Sequence, residues 1–429
     1  MMQYKDAILK AADYIRAHTS ADDFTINGGY NNELHARFAQ NGITQHISGT
    51  KTWLSLSVAF GAQTGAAEVN ELSEEALKNL IKRAETMAHM NQPDPEFVAS
   101  EQARDIPKTN NYSDATASLS LEDVVSGIQR CVANARGKDA RVSGISQRFY
   151  GGHCIQTKNG FSGWDDHSTF SHSMTMKRDD VETKVSGSVK DFTTFDMTAM
   201  INRLNEQFDA LSSPVQHHTG RMPVILRPAA VLDWLWYLMW MYQRRMADDG
   251  LSPYSGQIGN EFFGKRFTLR SSIDDAELST PPFSDNAIVA RNINWVNKGV
   301  IEEMRVDRDY AKLAGIPANY QANLIVDGGE TSEAEMMKMV DNGIIVNRLW
   351  YIRSVDQKRG EMTGLTRDGV LYFEDGAVKR AVTNFRWNEI FYDMTRRILA
   401  LGPSMLIENN ARVPAMLIDG FNFVDVTTF

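Results

Sequence analysis

The sequence predicts an α+β fold, with an N-terminal antiparallel sheet and its helices followed by a β-dominated, barrel-like C-terminal part. Two observations carry that prediction. Apolar residues recur at every second position in consecutive runs, most clearly across residues 140–196, and helical spacing appears between the runs instead of alternating with each strand. Beyond residue 220, short runs of strand character are separated by turn sequences such as Asp327-Gly328-Gly329, Asn342-Gly343, Arg367-Asp368-Gly369 and Glu374-Asp375-Gly376.

The first helix places Ala7, Ile8, Ala11, Tyr14 and Ile15 on one face. A strand follows from Glu33, where Leu34, Ala36 and Phe38 alternate with His35, Arg37 and Ala39. Asn41-Gly42 is a hairpin dipeptide, so Thr44–Ser48 returns antiparallel, and Trp53–Phe60 reads as a third strand. Leu72–Met90 is a helix capped by Ser73, with acids in its first turn and Pro93 past its end. A long polar segment, Asp94–Ser118, leads to a helix over Leu121–Ala135. Val142, Arg148–Tyr150, Cys154–Thr157, Ser168–Met176 and Glu182–Phe192 are expected as successive strands, and Thr194–Leu211 as a helix.

His217-His218-Thr219-Gly220 marks the expected division into an N-terminal domain, 1–215, and a C-terminal domain, 216–429. The second opens with a strand at Val224–Leu226 and a helix over 229–247. Further helices are expected at Ser332–Asp341 and Asn388–Leu401. The helix over 229–247 is unusual: Trp234, Trp236, Tyr237, Trp240 and Tyr242 cover nearly its whole circumference, which predicts burial in the core or against another chain.

With 42% hydrophobic and 23% charged residues among 429, the chain is neither disordered nor fibrous. A formal net charge of −9 argues against direct nucleic-acid binding. The two cysteines, Cys131 and Cys154, make no disulfide framework and are expected as buried thiols. The N-terminus lacks an apolar h-region. The clean apolar run Trp234–Tyr242 is far short of the ~20 residues that cross a bilayer. No membrane association and a cytoplasmic address are therefore expected.

Catalytic signatures are missing. None of the nine histidines begins an H-E-x-x-H or H-E-x-x-x-H run, and there is no G-x-S-x-G elbow, P-loop or dinucleotide fingerprint. The densest cluster of candidate ligands is His153, Cys154, His167 and His172. On regular strands His153 and Cys154 point to opposite faces, and so do His167 and His172, which argues against a shared metal. The acidic pairs Asp165-Asp166, Asp179-Asp180, Asp248-Asp249 and Asp274-Asp275 are expected in solvated turns. Arg244-Arg245 is expected to end the aromatic helix, where cations complement its dipole.

Several blocks, taken in order, resemble one family. Arg37-Phe38-Ala39-Gln40-Asn41-Gly42-Ile43-Thr44-Gln45 is similar to its early hairpin. Asp249-Gly250-Leu251-Ser252-Pro253-Tyr254-Ser255-Gly256-Gln257-Ile258-Gly259 is similar to the segment after its metal helix, and Asp274-Asp275 to a downstream acidic pair. Asn323-Leu324-Ile325-Val326-Asp327-Gly328-Gly329 with Ser332 and Glu333 resembles a C-terminal block, followed by Asn342–Val346, Thr363-Gly364 and Glu374-Asp375-Gly376. The family is TldD/PmbA (TldE), described as modulators of DNA gyrase and grouped with zinc metallopeptidases. Its zinc-bearing members carry H-E-x-x-x-H on a helix at a fixed distance before the Ser-x-x-Ser-Gly segment. Counting back from Ser252 puts that motif at Leu235, Trp236 and Trp240, which offer neither ligand nor general base. The family's third ligand is a C-terminal cysteine, and no cysteine follows Cys154.

The resemblance implies the metal-free, TldE-like subunit of a peptidase acting on small unfolded peptides. It implies no catalytic residue, no metal or other cofactor in this chain, and zinc held by a TldD-like partner in a heterodimer. Two rival expectations stand beside it: a homodimeric peptide- or protein-binding protein without catalysis, and a hydrolase built on His153, Cys154, His167 and His172.

Overall fold

The computed structural model describes residues 2–211 and 213–427. Its N-terminal part is built on one antiparallel sheet of six strands: β1 (Asp23–Ala39), β2 (Gly42–Phe60), β3 (Gln63–Val69), β4 (Arg141–Thr157), β5 (Ser162–Arg178) and β6 (Val181–Val189). Their order is β3-β2-β1-β4-β5-β6, two meanders joined through β1 and β4. Period-two patterning decides what each face meets. Phe24, Ile26, Tyr30, Leu34, Ala36 and Phe38 of β1 are all buried on one face, where they share cores with residues of helices Met2–His18, Glu74–Met90 and Leu121–Gly137. Ser73 caps the second of these helices through the Ala76 amide, and Ser120 with Asp123 forms a capping box on the third.

Trp53–Phe60 is not a separate strand. β2 runs unbroken from Gly42 to Phe60, paired with β1 from the tight turn at Gln40 and Asn41, both at positive φ. Residues 42–49 are exposed, so no buried face imposes alternation there, and nothing in the pattern joins the predicted strand Thr44–Ser48 to Trp53–Phe60. The strand Gln63–Val69 was likewise not predicted. Asp165-Asp166 lies within β5, not in a turn.

The C-terminal part is β-dominated and barrel-like, as predicted. Gly220–Leu226 lies between Asn342–Asp356 and Met416–Val426; the chain of pairings continues through Phe385–Ile390 and Glu361–Glu374 back to Asn342–Asp356, closing a ring of five strands. A second, open sheet is formed by Val300–Ile301, Ile293–Asn297, Leu269–Ser271, Leu324–Val326, Ala411–Val413 and Met405–Glu408. Three ring strands are buried on both faces along part of their length, at residues 224–226, 343–347 and 416–418. Val224, Leu226, Ile344, Val346, Met416 and Ile418 belong to the ring's own core, while Ile225, Ile345 and Leu417 join Leu34, Phe38, Phe170 and Phe208 in a core shared with the N-terminal part.

The aromatic helix is shorter than predicted, Pro228–Met241, and it is not buried all round. Trp234 and Leu235 are fully buried, Trp236 and Tyr237 half-buried, and Trp240 is 54% exposed. The helix stops because Tyr242 is drawn into the core: its hydroxyl donates to the Trp295 carbonyl, its own carbonyl accepts from Arg305, and the Arg244 amide bonds back to Arg305. Arg244-Arg245 therefore opens a new short helix, Arg244–Asp248, instead of ending the long one. Arg245 forms a bidentate pair with Glu96 of the polar segment.

The helix expected at Asn388–Leu401 is strand, one helical turn and strand: Phe385–Ile390, Phe391–Arg396 and Ile398–Leu401. Buried Glu389 accepts from Arg397 and from the Asn422 amide, which ties both flanks to Met416–Val426. No helix among the described residues is long and apolar enough to cross a membrane.

Candidate functional site

The face of the N-terminal sheet opposite the first helices carries the odd-numbered residues of β1, β4 and β5. Where the C-terminal part approaches that face, a cavity of about 620 Å³ remains. Its sheet side consists of His153, Asp165, His167 and Thr169. Its other walls are Trp236 of the aromatic helix, the segment Ser279–Asn286, Tyr320 and the turn at Asn409-Asn410.

Cross-strand register explains the sheet side. His153 pairs directly with Asp165, and His167 with Gly151, so both imidazoles and the carboxyl emerge on one face. Gly151 leaves the space they need, since a Cβ there would lie 2.1 Å from the Tyr30 carbonyl oxygen and 3.0 Å from His167 Nε2. His167 Nε2 donates to Asn31 Oδ1 at 3.0 Å, and His153 Nε2 to Asn27 Oδ1 at 3.2 Å. These bonds assign the Nε2–H tautomer to both rings. Asn27 Nδ2 donates in turn to the Asp285 carbonyl at 3.0 Å, which fixes its orientation.

Burial sets the charge state. It lowers the pKa of His153, against a smaller opposing effect of Asp285, whose carboxylate lies 3.6 Å away but is 85% exposed. His167 is lowered by burial first, then by His153. Both rings are therefore neutral at pH 7. Burial also pushes Asp165 up to about 7, with Asn111 opposing and Asp166 adding to the shift. Asn111 Nδ2 reaches both Asp165 oxygens at 3.1 Å, while its Oδ1 accepts from Ser279 and from the Thr280 amide.

The polar segment Asp94–Ser118 thus stitches the two parts together. Lys190, buried, adds to this by donating to the carbonyls of Asn110 and Leu278. The opposite wall is pinned as firmly: Asn409 bonds Thr169 Oγ1 at 2.9 Å and Ser188 Oγ at 2.8 Å. Phe283 is buried with Ile155 and Phe161 and holds the Ser284–Ile288 turn, which carries Asp285, against the sheet.

The predicted cluster is split as parity requires. His153 and His167 share the cavity, whereas Cys154 lies beneath the first helices and His172 beneath Leu121–Gly137. His172 does meet a thiol: Cys131 Sγ is 3.7 Å from its Nε2, and Ser146 Oγ is 2.7 Å from its Nδ1. That trio is sealed in the core, where burial raises Cys131 to about 11 and lowers His172 to about 4. Both groups are neutral, so no thiolate–imidazolium pair forms.

Nor does the cavity fit zinc. Leu235 and Trp240 have no donor atom for a metal, and among the described residues no group of three or more His, Cys, Asp or Glu is arranged to hold one. The sequence reading missed Asp165, Asp285, Tyr320 and Asn111. For Asp165 a signal was present: Asn159-Gly160 marks a hairpin, and the three-residue turn over 158–160 found there sets His153 opposite residue 165.

Residues 219–425 match the model of the PmbA/TldA metallopeptidase C-terminal domain. That match covers just under half of the chain. The TldD/PmbA resemblance read from the sequence blocks is thereby borne out, and with it a peptidase-related role. No curated protein matches the sequence.

Solved structures extend the likeness in fold over nearly all of the chain. TldE from Thermococcus kodakarensis superposes with a TM-score of 0.88 at 16% identity, covering 97% of this chain and 100% of its own. A putative modulator of DNA gyrase from Thermotoga maritima gives 0.84 at 16% identity, covering 99% and 100%. A putative modulator of DNA gyrase from Bacteroides thetaiotaomicron gives 0.88 at 15% identity, again covering 99% and 100%.

Proposed function

We propose that this chain is the metal-free subunit of a TldD/TldE-type peptidase, acting with a zinc-bearing partner on small unfolded peptides. The observation that supports this most is the aromatic helix. Of the three positions counted as equivalents of the zinc motif, Leu235 is core, Trp236 is cavity wall and Trp240 faces outward. A wall is retained where zinc-bearing relatives would carry a general base; of the two ligand positions, Leu235 is packing and Trp240 a surface indole. No cofactor is needed by this chain in that role; its part is to shape the chamber and to meet the partner.

The cavity offers no nucleophile–base pair that would support independent hydrolysis. Ser284 Oγ accepts from the Asn286 and Ile288 amides, and Ser279 Oγ donates to Asn111, so neither hydroxyl is bonded to His153 or His167. The test is reconstitution. Mixing this chain with its zinc-bearing partner should yield peptidase activity that neither shows alone, with zinc near zero per copy of this chain. A partner that is fully active alone and never binds this chain would end the proposal.

A further inference from the structure

The cavity has a charge character that the subunit role does not explain. Its lining contains two carboxyl groups, Asp165 and Asp285, and neither lysine nor arginine. The two histidines that share it are held neutral by burial, with Nε2–H already committed to Asn31 and Asn27. Asp165 is the unusual group: a half-buried carboxyl whose nearest donor is a neutral amide, Asn111. Burying a carboxylate without a countercharge is costly. The missing partner is a cation.

We propose that this cavity binds a primary ammonium group, the free amino terminus of an extended peptide, between Asp165 and Asp285. A metal ion does not suit the donor set, because no three ligands converge among the described residues. An ammonium does: it needs two or three acceptors in loose geometry and gains from aromatic faces. Trp236, Phe283 and Tyr320 supply such faces, and Tyr320 lies within electrostatic range of both Asp165 and Asp285. The volume, about 620 Å³, is that of a small-molecule site and leaves room beyond the ammonium for a first residue or two of chain. The peptide identity of the ligand rests on the peptidase reading above; the ammonium does not.

Titration follows from the same geometry. Asp165, Asp285, His153, His167 and Tyr320 face the site, with Asp166 on the reverse side of β5 adding negative potential. Binding requires Asp165 ionised and the peptide amine protonated, so affinity rises from pH 6 toward pH 7.5 and declines above ~8 as the amine loses its proton.

The experiment is calorimetric titration of the full chain with three peptides of alternating Ala and Gly, all amidated at the C-terminus. One has a free amino terminus, one is acetylated, and one is acetylated but carries a single internal lysine. The free-amine peptide should bind, and acetylation should weaken it by roughly tenfold or more, the loss expected for one charge-assisted contact. D165N should reproduce that loss on the free-amine peptide. D285N, on an exposed side chain that cannot compromise folding, should weaken it less.

Equal binding of free and acetylated peptides overturns the proposal, as does no binding at all or D165N behaving as wild type. Stronger binding of the lysine peptide than of the free-amine peptide overturns the assignment to the amino terminus. Failure here alongside successful reconstitution removes only the ammonium site, while a good ammonium site without reconstitution removes the subunit role.

Discussion

The two faces of the N-terminal sheet hold similar residue types in opposite states. Beneath Leu121–Gly137, His172 sits within bonding distance of Ser146 and of that helix's own Cys131, and the trio looks like a nucleophile with its base. Across the same strands, His153, His167 and Asp165 line an open cavity. The first trio is dry and neutral, and its polar atoms satisfy one another; the second keeps a carboxyl without a countercharge. Proximity of a histidine to a thiol is therefore the weaker indicator of function here. Strand parity and access decide which set can meet a ligand.

That contrast can be broken from the core side first. Phe38→Ala removes a fully buried ring stacked on His172 at a centroid distance of 5.8 Å. It should cost about 3–5 kcal/mol in denaturant unfolding, with peptide affinity unchanged in the population that remains folded. A large loss of affinity without loss of stability would mean the faces are not independent.

The next effect is acid sensitivity. His172 is held neutral to about pH 4, whereas the unfolded chain protonates its histidine near 6.5. The unfolded state thus binds the extra proton, and stability falls as pH drops from about 6.5 toward 4, by up to about 3 kcal/mol from this residue. His172→Gln should flatten that limb of the stability–pH curve, measured by urea unfolding at several pH values. An unchanged slope would show that His172 is not the proton acceptor.

Asp165 works in the opposite sense. Its native pKa is raised from an ordinary 3.8 to about 7, so its contribution to stability falls as pH rises through that window. D165N should therefore be more stable than wild type at pH 8, on the order of 1 kcal/mol after screening, and indistinguishable at pH 4. His167→Ala, which loses one hydrogen bond at a half-exposed site, should shift stability by only about 0.5–1 kcal/mol. The smallest signal is chemical: Cys131 and Cys154, raised by burial to about 11 and about 12, should resist iodoacetamide in the native protein and react on unfolding. A thiol that alkylates quickly in the folded protein would contradict the burial assigned to it.

Much of this was legible because local rules and global packing agree. Leu34, Ala36 and Phe38 alternate because one face of β1 is core, and Ser73 reads as a cap because it is one. Where the sequence misled, a tertiary contact had overruled a local preference. The run Asn388–Leu401 has helical character, yet Glu389 and Arg397 are bound to the strand beside them. The aromatic helix ends at Met241 because Tyr242 and Arg244 bond to Arg305, far away in sequence. Asp165-Asp166 resembles a turn pair because nothing local announces that β5 runs straight through it.

The sequence by itself determined the α+β class, the family blocks, and the parity that separates His153 from Cys154 and His167 from His172. These depend on residue identity and on a period of two, which a chain carries before it folds. Only the tertiary structure decided that His153, Asp165 and His167 face Trp236, Asp285 and Tyr320 across one cavity. Those residues are brought together by register and by the approach of two sheets, and a carboxyl acquires its unusual charge state only once that approach has removed its water.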